Sequence, residues 1–416
     1  MTALIPVLTE RLSLASWHET AIYMITPLFA GGCQPVFARL TDKYDIQLCG
    51  PLGLAITALT LASIGFAESF AQLVVLQVIG VIASGMYHPV TTATAGALGA
   101  GILRNGRAQA IGLFIAAGMA GQTVGPIIAS RVNRVFGMEH LAWLIAPSLV
   151  LALVLHVMVR GVPHRRTRVD DESPVFDRHE SHRRWWYVAM LAAQNVLRFI
   201  TQSGMFLMFN LWAESAVRRD ERSLAIAASS ETPDLVLGGL ASSYSANLLA
   251  AMTAGMCVSV LSMGRLVRRG RERAPLIVCT VIGVVTIAVM GWVGDASVAA
   301  FGLGTWTLMP VYMCAFVAPV GFFGTFAVVT SLAQRLHPDH TSLVTSLNMG
   351  VGWMISAIAP VLAIGFFGWV SLENAPMLSP DRLNLGFVGF AVVLALAGIV
   401  VAMIPRRAFS IAAEAH

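Results

Sequence analysis

Hydrophobic and polar positions alternate along this chain in blocks of tens of residues. Eleven stretches of about twenty mostly apolar residues lie at 17–38, 48–67, 71–97, 108–130, 139–160, 185–210, 236–263, 275–294, 306–333, 342–369 and 384–404, with short Arg-, Gly- and Pro-bearing segments between them. A hydrocarbon layer about 30 Å thick takes about 20 helical residues to cross. The pattern therefore predicts an all-α polytopic membrane protein with eleven spans. Composition supports that class: 56% of residues are hydrophobic, 12% are charged and the mean hydropathy is +0.74. A soluble domain would carry about twice that share of charge.

Charge sets the expected orientation. Nineteen of the 27 Lys and Arg fall in one set of alternating loops, seven in the other, and Arg198 inside a span. The positive-inside rule makes the richer set cytoplasmic. This predicts a multi-pass protein of the cytoplasmic (inner) cell membrane with a cytoplasmic C-terminus and residue 1 outside. The net charge of +5 is then membrane topology, and no nucleic-acid partner is expected. Residues 1–16 lack the apolar core of a signal peptide. Cys33, Cys49, Cys257, Cys279 and Cys314 sit in or beside spans without metal-ligand spacing.

Residues 161–184 are charged, hold two prolines and are poor in apolar residues. They read as a cytoplasmic linker between an N-terminal bundle of five spans (1–160) and a C-terminal bundle of six (185–405), followed by a tail at 406–416. The halves look related. Gly118 and Pro126 in span four match Gly352 and Pro360 in span ten at an offset of 234 residues, and each span follows a short polar loop. Such repeats build many transporters. The offset places the partner of span six before residue 1, so an opening helix is expected to be missing.

Polar groups inside spans cost several kcal/mol each if left unpaired in lipid. Arg198 in span six is therefore the foremost candidate for a substrate contact. Its planar fork suits a carboxylate or phosphonate; a structural arginine bonded to carbonyls of kinked helices, or to an acid on the missing helix, is the alternative. Pro89 interrupts span three and would aim His88, a possible proton relay, at the interior. Gln122, Gln202, Tyr244, Asn247 and Asn348 offer polar contacts to a solute or between helices. Gly121, Gly125 and Pro126 form a small-residue stripe with a bend, suited to close packing at a moving interface. No metal cluster, carboxylate pair or nucleophile–base pattern lies inside the spans, and the chain has no phosphate-binding GxxxxGK(S/T) loop, so no enzyme activity, metal, cofactor or ATP drive is expected.

Four segments then carry a resemblance to the major facilitator superfamily, and within it to the fosmidomycin-resistance-like group. They are Gln34-Pro35-Val-Phe-Ala-Arg-Leu-Thr-Asp42-Lys43, Gly85-Met-Tyr-His88-Pro89, Gly121 to Ser130, and Arg198 itself. Ala38 stands where the loop motif has glycine, Asp45-Ile-Gln replaces its usual end, and the antiporter arginine expected near Leu76 or Gln77 is absent. The resemblance implies two pseudo-symmetric helix bundles, a gate at Asp42 and Lys43, and a monomer that moves a small-molecule solute by alternating access in a lipid bilayer. The expected drive is a proton gradient and the expected direction is efflux. Proton-coupled uptake of an organic anion, or a transport-inactive receptor or assembly protein on the same fold, are the alternatives.

Overall fold

The computed structural model describes residues 8–414 apart from 9–10, 13, 15, 45–47, 101, 104–105, 161–177, 230–232, 305, 371–373 and 375–376. Among the described residues the regular structure is entirely helical. The first half holds α1 (Ser16–Ile25), α2 (Gly31–Tyr44), α3 (Cys49–Ala62), α4 (Phe70–Ala100), α5 (Gly106–Phe136) and α6 (Ile145–Val159). The second holds α7 (Arg178–Arg219), α8 (Glu221–Ala228), α9 (Pro233–Leu266), α10 (Arg273–Phe301), α11 (Met309–Val317), α12 (Pro319–Phe322) and α13 (Phe326–Leu336). It continues with α14 (Thr341–Ser356), α15 (Ala359–Phe366), α16 (Pro380–Met403) and α17 (Arg406–Glu414).

Each of the eleven apolar stretches is largely helical, but several are not single straight rods. Among the described residues, seven helical segments are long and apolar enough to cross a membrane, or eight with the pair bent by 48° between Ser356 and Ala359. The first stretch is interrupted by a π turn at Thr26–Ala30 with Pro27 at its start; proline has no N–H, so the turn widens. The ninth is broken twice, giving α11, α12 and α13, with Pro319 opening α12. The tenth bends just before Pro360. Span six extends beyond its apolar core in both directions, and the i,i+4 pairs Glu180–Arg184 and Glu214–Arg218 brace its ends. Residues 178–184, read from sequence as linker, are thus the first two turns of α7. The remainder of the linker, 161–177, lies outside the described residues.

Helices in lipid associate through close packing rather than through apolar burial alone. The contacts follow that rule. A Cβ at Gly283 on α10 would come within 2.6 Å of the Gly321 Cα and 3.1 Å of the Ala318 carbonyl oxygen. Gly255 on α9 abuts the Phe316 carbonyl in the same way. The broken ninth stretch is therefore wedged between α9 and α10 backbone to backbone.

The halves meet along two seams, α2 against α14 and α5 against α9. In the first, a Cβ at Gly31 would lie 2.5 Å from the Gly350 carbonyl oxygen. In the second, Gly112 faces the Val260 carbonyl, Gly264 faces Ala108, and the Thr123 hydroxyl donates to the Thr253 hydroxyl at 3.1 Å. Each seam thus carries a glycine from each half at its close contacts.

Gly283→Val places a branched side chain against Gly321. Overpacking of this kind costs about 1–3 kcal/mol, so the variant is expected to melt several degrees below the wild type in detergent. An unchanged melting temperature would contradict the backbone contact.

Candidate functional site

The chemistry of the interior is concentrated on α7. Gln194, Asn195, Arg198, Thr201 and Gln202 recur every three to four residues, so they share one helix face, and all are buried. The Asn195 amide donates to the Asn348 carbonyl at 3.3 Å and to its side-chain oxygen at 3.4 Å, and the Asn348 amide donates to the Val344 carbonyl at 3.0 Å. α7 is thereby tied to α14.

Arg198 is only 1% exposed. One terminal nitrogen donates to the Thr280 hydroxyl on α10 at 2.9 Å and the other to the Thr325 hydroxyl at the second break of the ninth stretch. Its Nε has no partner, and among the described residues no carboxylate pairs with it. The kinked helix expected as a structural partner is indeed beside Arg198, but it offers a hydroxyl rather than a carbonyl. Neither threonine stands out in the sequence.

The other expected residues fall elsewhere. Arg198, Gln202 and Asn348 gather around α7, whereas no described hydrogen bond joins His88, Gln122, Tyr244 or Asn247 to that cluster. His88 is half-buried on α4 with its Nδ1 unpartnered. α4 runs through Pro89 without a break, while Thr91 and Thr92 bond back to the carbonyls of Tyr87 and His88 at 2.7 Å. Gln122 and Asn247 are exposed, and Tyr244 is partly so.

Close packing expected at Gly121 and Gly125 is not found: a Cβ at either would meet nothing within 4 Å. These glycines lie on a different face of α5 from the seam residues Gly112 and Thr123. The side chains of Pro126 and Asp42 lie outside the described set, and exposed Lys43 rests over the Tyr44 ring at 4.9 Å.

Three polar assemblies escaped the sequence reading. At the arginine-rich end, Arg107 on α5 donates to the Gln334 side-chain oxygen at 3.2 Å, and the Gln334 amide donates to the Thr345 hydroxyl at 2.8 Å, joining the halves. Beside it, Arg335 forms a buried ion pair with Glu272 at 2.7 Å and donates to the Ala412 carbonyl on α17 at 3.0 Å. A cavity of about 230 Å³ lies there, bordered by Arg268, Arg269 and Glu272.

At the far end of the second half, α10 runs past residue 294, which brings Asp295 into the helix. Asp295 accepts from Trp212 at 3.3 Å, Arg219 at 3.0 Å and Asn384 at 2.8 Å, linking α7, α10 and α16. Gly294 and Gly291 make room for Trp212 and Asn384.

In the turn after α13, His337 stacks on Trp185 with ring centroids 4.2 Å apart. Burial first, then the charges of His340 and Arg184, push its pKa down from 6.5 to about 4, opposed by Asp339.

Long apolar helices around buried polar side chains, joined along two glycine-bearing seams, define a multi-pass membrane protein. The chain belongs to the Major Facilitator Superfamily, whose family model matches residues 1–360. The fosmidomycin resistance protein of Escherichia coli (strain K12) is 28% identical over 168 residues, 40% of this chain and 40% of that protein's length.

Two solved structures share the fold. The E. coli fucose:proton symporter FucP superposes with a TM-score of 0.62 at 12% identity, covering 97% of this chain and 95% of its own. The human organic anion transporter MFSD10 (TETRAN) superposes with a TM-score of 0.58 at 15% identity, covering 92% and 83%.

Because the folded pKa of His337 is depressed, its neutral form supports the fold fully above pH 6.5 and loses that support as pH falls toward 4. His337→Phe keeps the stack on Trp185 and removes the titration. Its melting temperature is expected to fall less between pH 7 and 4.5 than that of the wild type. Parallel pH profiles would show that His337 does not contribute.

Proposed function

We propose that this protein is a secondary active transporter that expels a small organic solute in exchange for protons by alternating access. The observation that carries the reading is Arg198, a buried cation on the interior face of α7 with an unpartnered nitrogen and no described carboxylate. A charge of this kind inside a membrane bundle marks a substrate or ion path. The partial match to a resistance protein favours efflux.

In this reading Arg198, Gln202 and Asn348 bind solute, His88 carries protons, and Asp42 and Lys43 act at the inner gate. The free glycine face at Gly121 and Gly125, with the bend at Pro126, leaves room for rocking, and Pro89 shapes the helix that carries His88. The arginine-rich end faces the cytoplasm, so the Arg107–Gln334–Thr345 link closes the cytoplasmic side. The bundles 1–160 and 185–405 rock as units about the two seams. The second reading, proton-coupled uptake of an organic anion, also rests on Arg198, whose guanidinium suits an anionic solute better than a neutral one.

Expression in a drug-sensitive host is expected to raise the inhibitory concentration of at least one compound in a panel of phosphonate and carboxylate antibiotics about fourfold or more. Accumulation of that compound in inside-out vesicles should collapse with a protonophore and persist without ATP. Accumulation in right-side-out vesicles instead would establish uptake, and flux in neither orientation would sink the transporter reading. Arg198→Met is expected to abolish the flux while the protein remains monodisperse, and Arg198→Lys, which keeps charge without the fork, to weaken affinity about tenfold. Wild-type flux by Arg198→Met would remove Arg198 from the solute path.

A further inference from the structure

Three polar atoms on successive turns of α7 have no partner: the side-chain oxygen of Gln194, the Nε of Arg198 and the side-chain oxygen of Gln202. All three residues are at least nine-tenths buried. Their i, i+4, i+8 spacing stacks them on one face, about 6 Å apart along the axis. The Gln194 amide donates to the Asn195 side-chain oxygen at 2.9 Å, which fixes which way its own oxygen points.

The row therefore reads acceptor, donor, acceptor. Each such atom left empty in a buried setting costs about 1–3 kcal/mol, and three in register amount to a template. The guanidinium in its centre is held from behind. The Thr280 hydroxyl donates to the Leu276 carbonyl at 2.7 Å, which turns its lone pairs toward Arg198. Thr325, at the second break of the ninth stretch, takes the other terminal nitrogen. With both terminal nitrogens engaged, Nε and the N–H beside it form the edge that remains for a bidentate oxyanion.

We infer that Gln194, Arg198 and Gln202 form one recognition row, aimed by Thr280 and Thr325, whose ligand is an organic oxyanion carrying a hydroxyl or N–H donor within about one helical turn of its charged head. The carboxylate or phosphonate sits on the Nε edge. The hydroxyl or N–H donor satisfies one of the two glutamine oxygens. Plain alkyl acids leave those oxygens unpaired and are selected against. Thr280 and Thr325 are positioning residues, since they act on the ligand through Arg198. This inference rests on the anion-binding role proposed for Arg198 and names the chemistry which that role selects.

The test uses the full chain in detergent and four probes: 3-hydroxybutyrate, butyrate, 3-hydroxypropylphosphonate and propylphosphonate, titrated by calorimetry. In the wild type each hydroxylated acid is expected to bind at least tenfold more tightly than its plain counterpart. Gln194→Leu with Gln202→Leu should erase that preference while retaining the weaker binding of the plain acids. Thr280→Val with Thr325→Val should weaken all four probes at least tenfold, and Thr280→Ser with Thr325→Ser, which keeps both hydroxyls, should restore them.

Equal binding of hydroxylated and plain acids, or no binding of any probe, overturns the inference. So does equal loss in the Val and Ser pairs, which would point to the methyl groups and not the hydroxyls. If the Val pair does not fold, the Gln pair decides alone. Arg198→Met separates the two levels. Loss of binding there with unaffected Gln and Thr variants overturns the row and leaves the anion-binding arginine standing, whereas wild-type binding by Arg198→Met overturns both.

Discussion

Inside a bilayer no water is available to a stray N–H or carbonyl, so the chain must satisfy its own backbone. Most of this structure follows from that constraint. It forces helices, and it makes every break in a helix expensive unless other protein surrounds it. The ninth stretch shows how the demand is met. Its two breaks, after Val317 and before Phe326, are buried, and α9 and α10 press on its backbone around the first of them through Gly255 and Gly283. Arg198 reaches the second break through Thr325. An irregular backbone and a buried cation, each unfavourable alone in lipid, occupy the same protected place.

The same constraint separates the two ends of the bundle. At the arginine-rich end polar side chains cross between halves, from Arg107 through Gln334 to Thr345. Beside this link Arg335 holds the segment before α10 and the C-terminal α17 at once. A buried ion pair of this kind adds little net stability compared with an apolar contact, but removing one partner is strongly unfavourable. Glu272 and Arg335 therefore act as a register pin for α13 rather than as a source of binding energy.

How much of this was legible in the sequence depended on whether a feature lives in one segment or in several. Helical class, the positions of the apolar stretches and the burial of Arg198 each follow from local composition, and the structure agrees with them. The partners of Arg198 were not legible. Thr280 and Thr325 are ordinary threonines until two distant helices bring their hydroxyls to one guanidinium. The packing role of Gly121 and Gly125 was misjudged for a related reason: small residues permit close approach, but only tertiary structure decides which face of α5 is approached. Asp295 was missed by a boundary error of a few residues, since α10 runs beyond the apolar run that defined it.

Asp295 has a mechanical consequence. One carboxylate receives a tryptophan, an arginine and an asparagine from two other helices, while Gly291 and Gly294 let those side chains lie flush against α10. Such a knot removes the freedom of α7, α10 and α16 to slide past one another at that end. The three helices are pinned to one another there, and Arg198 lies on the same α7, 14 residues or about 21 Å from Trp212.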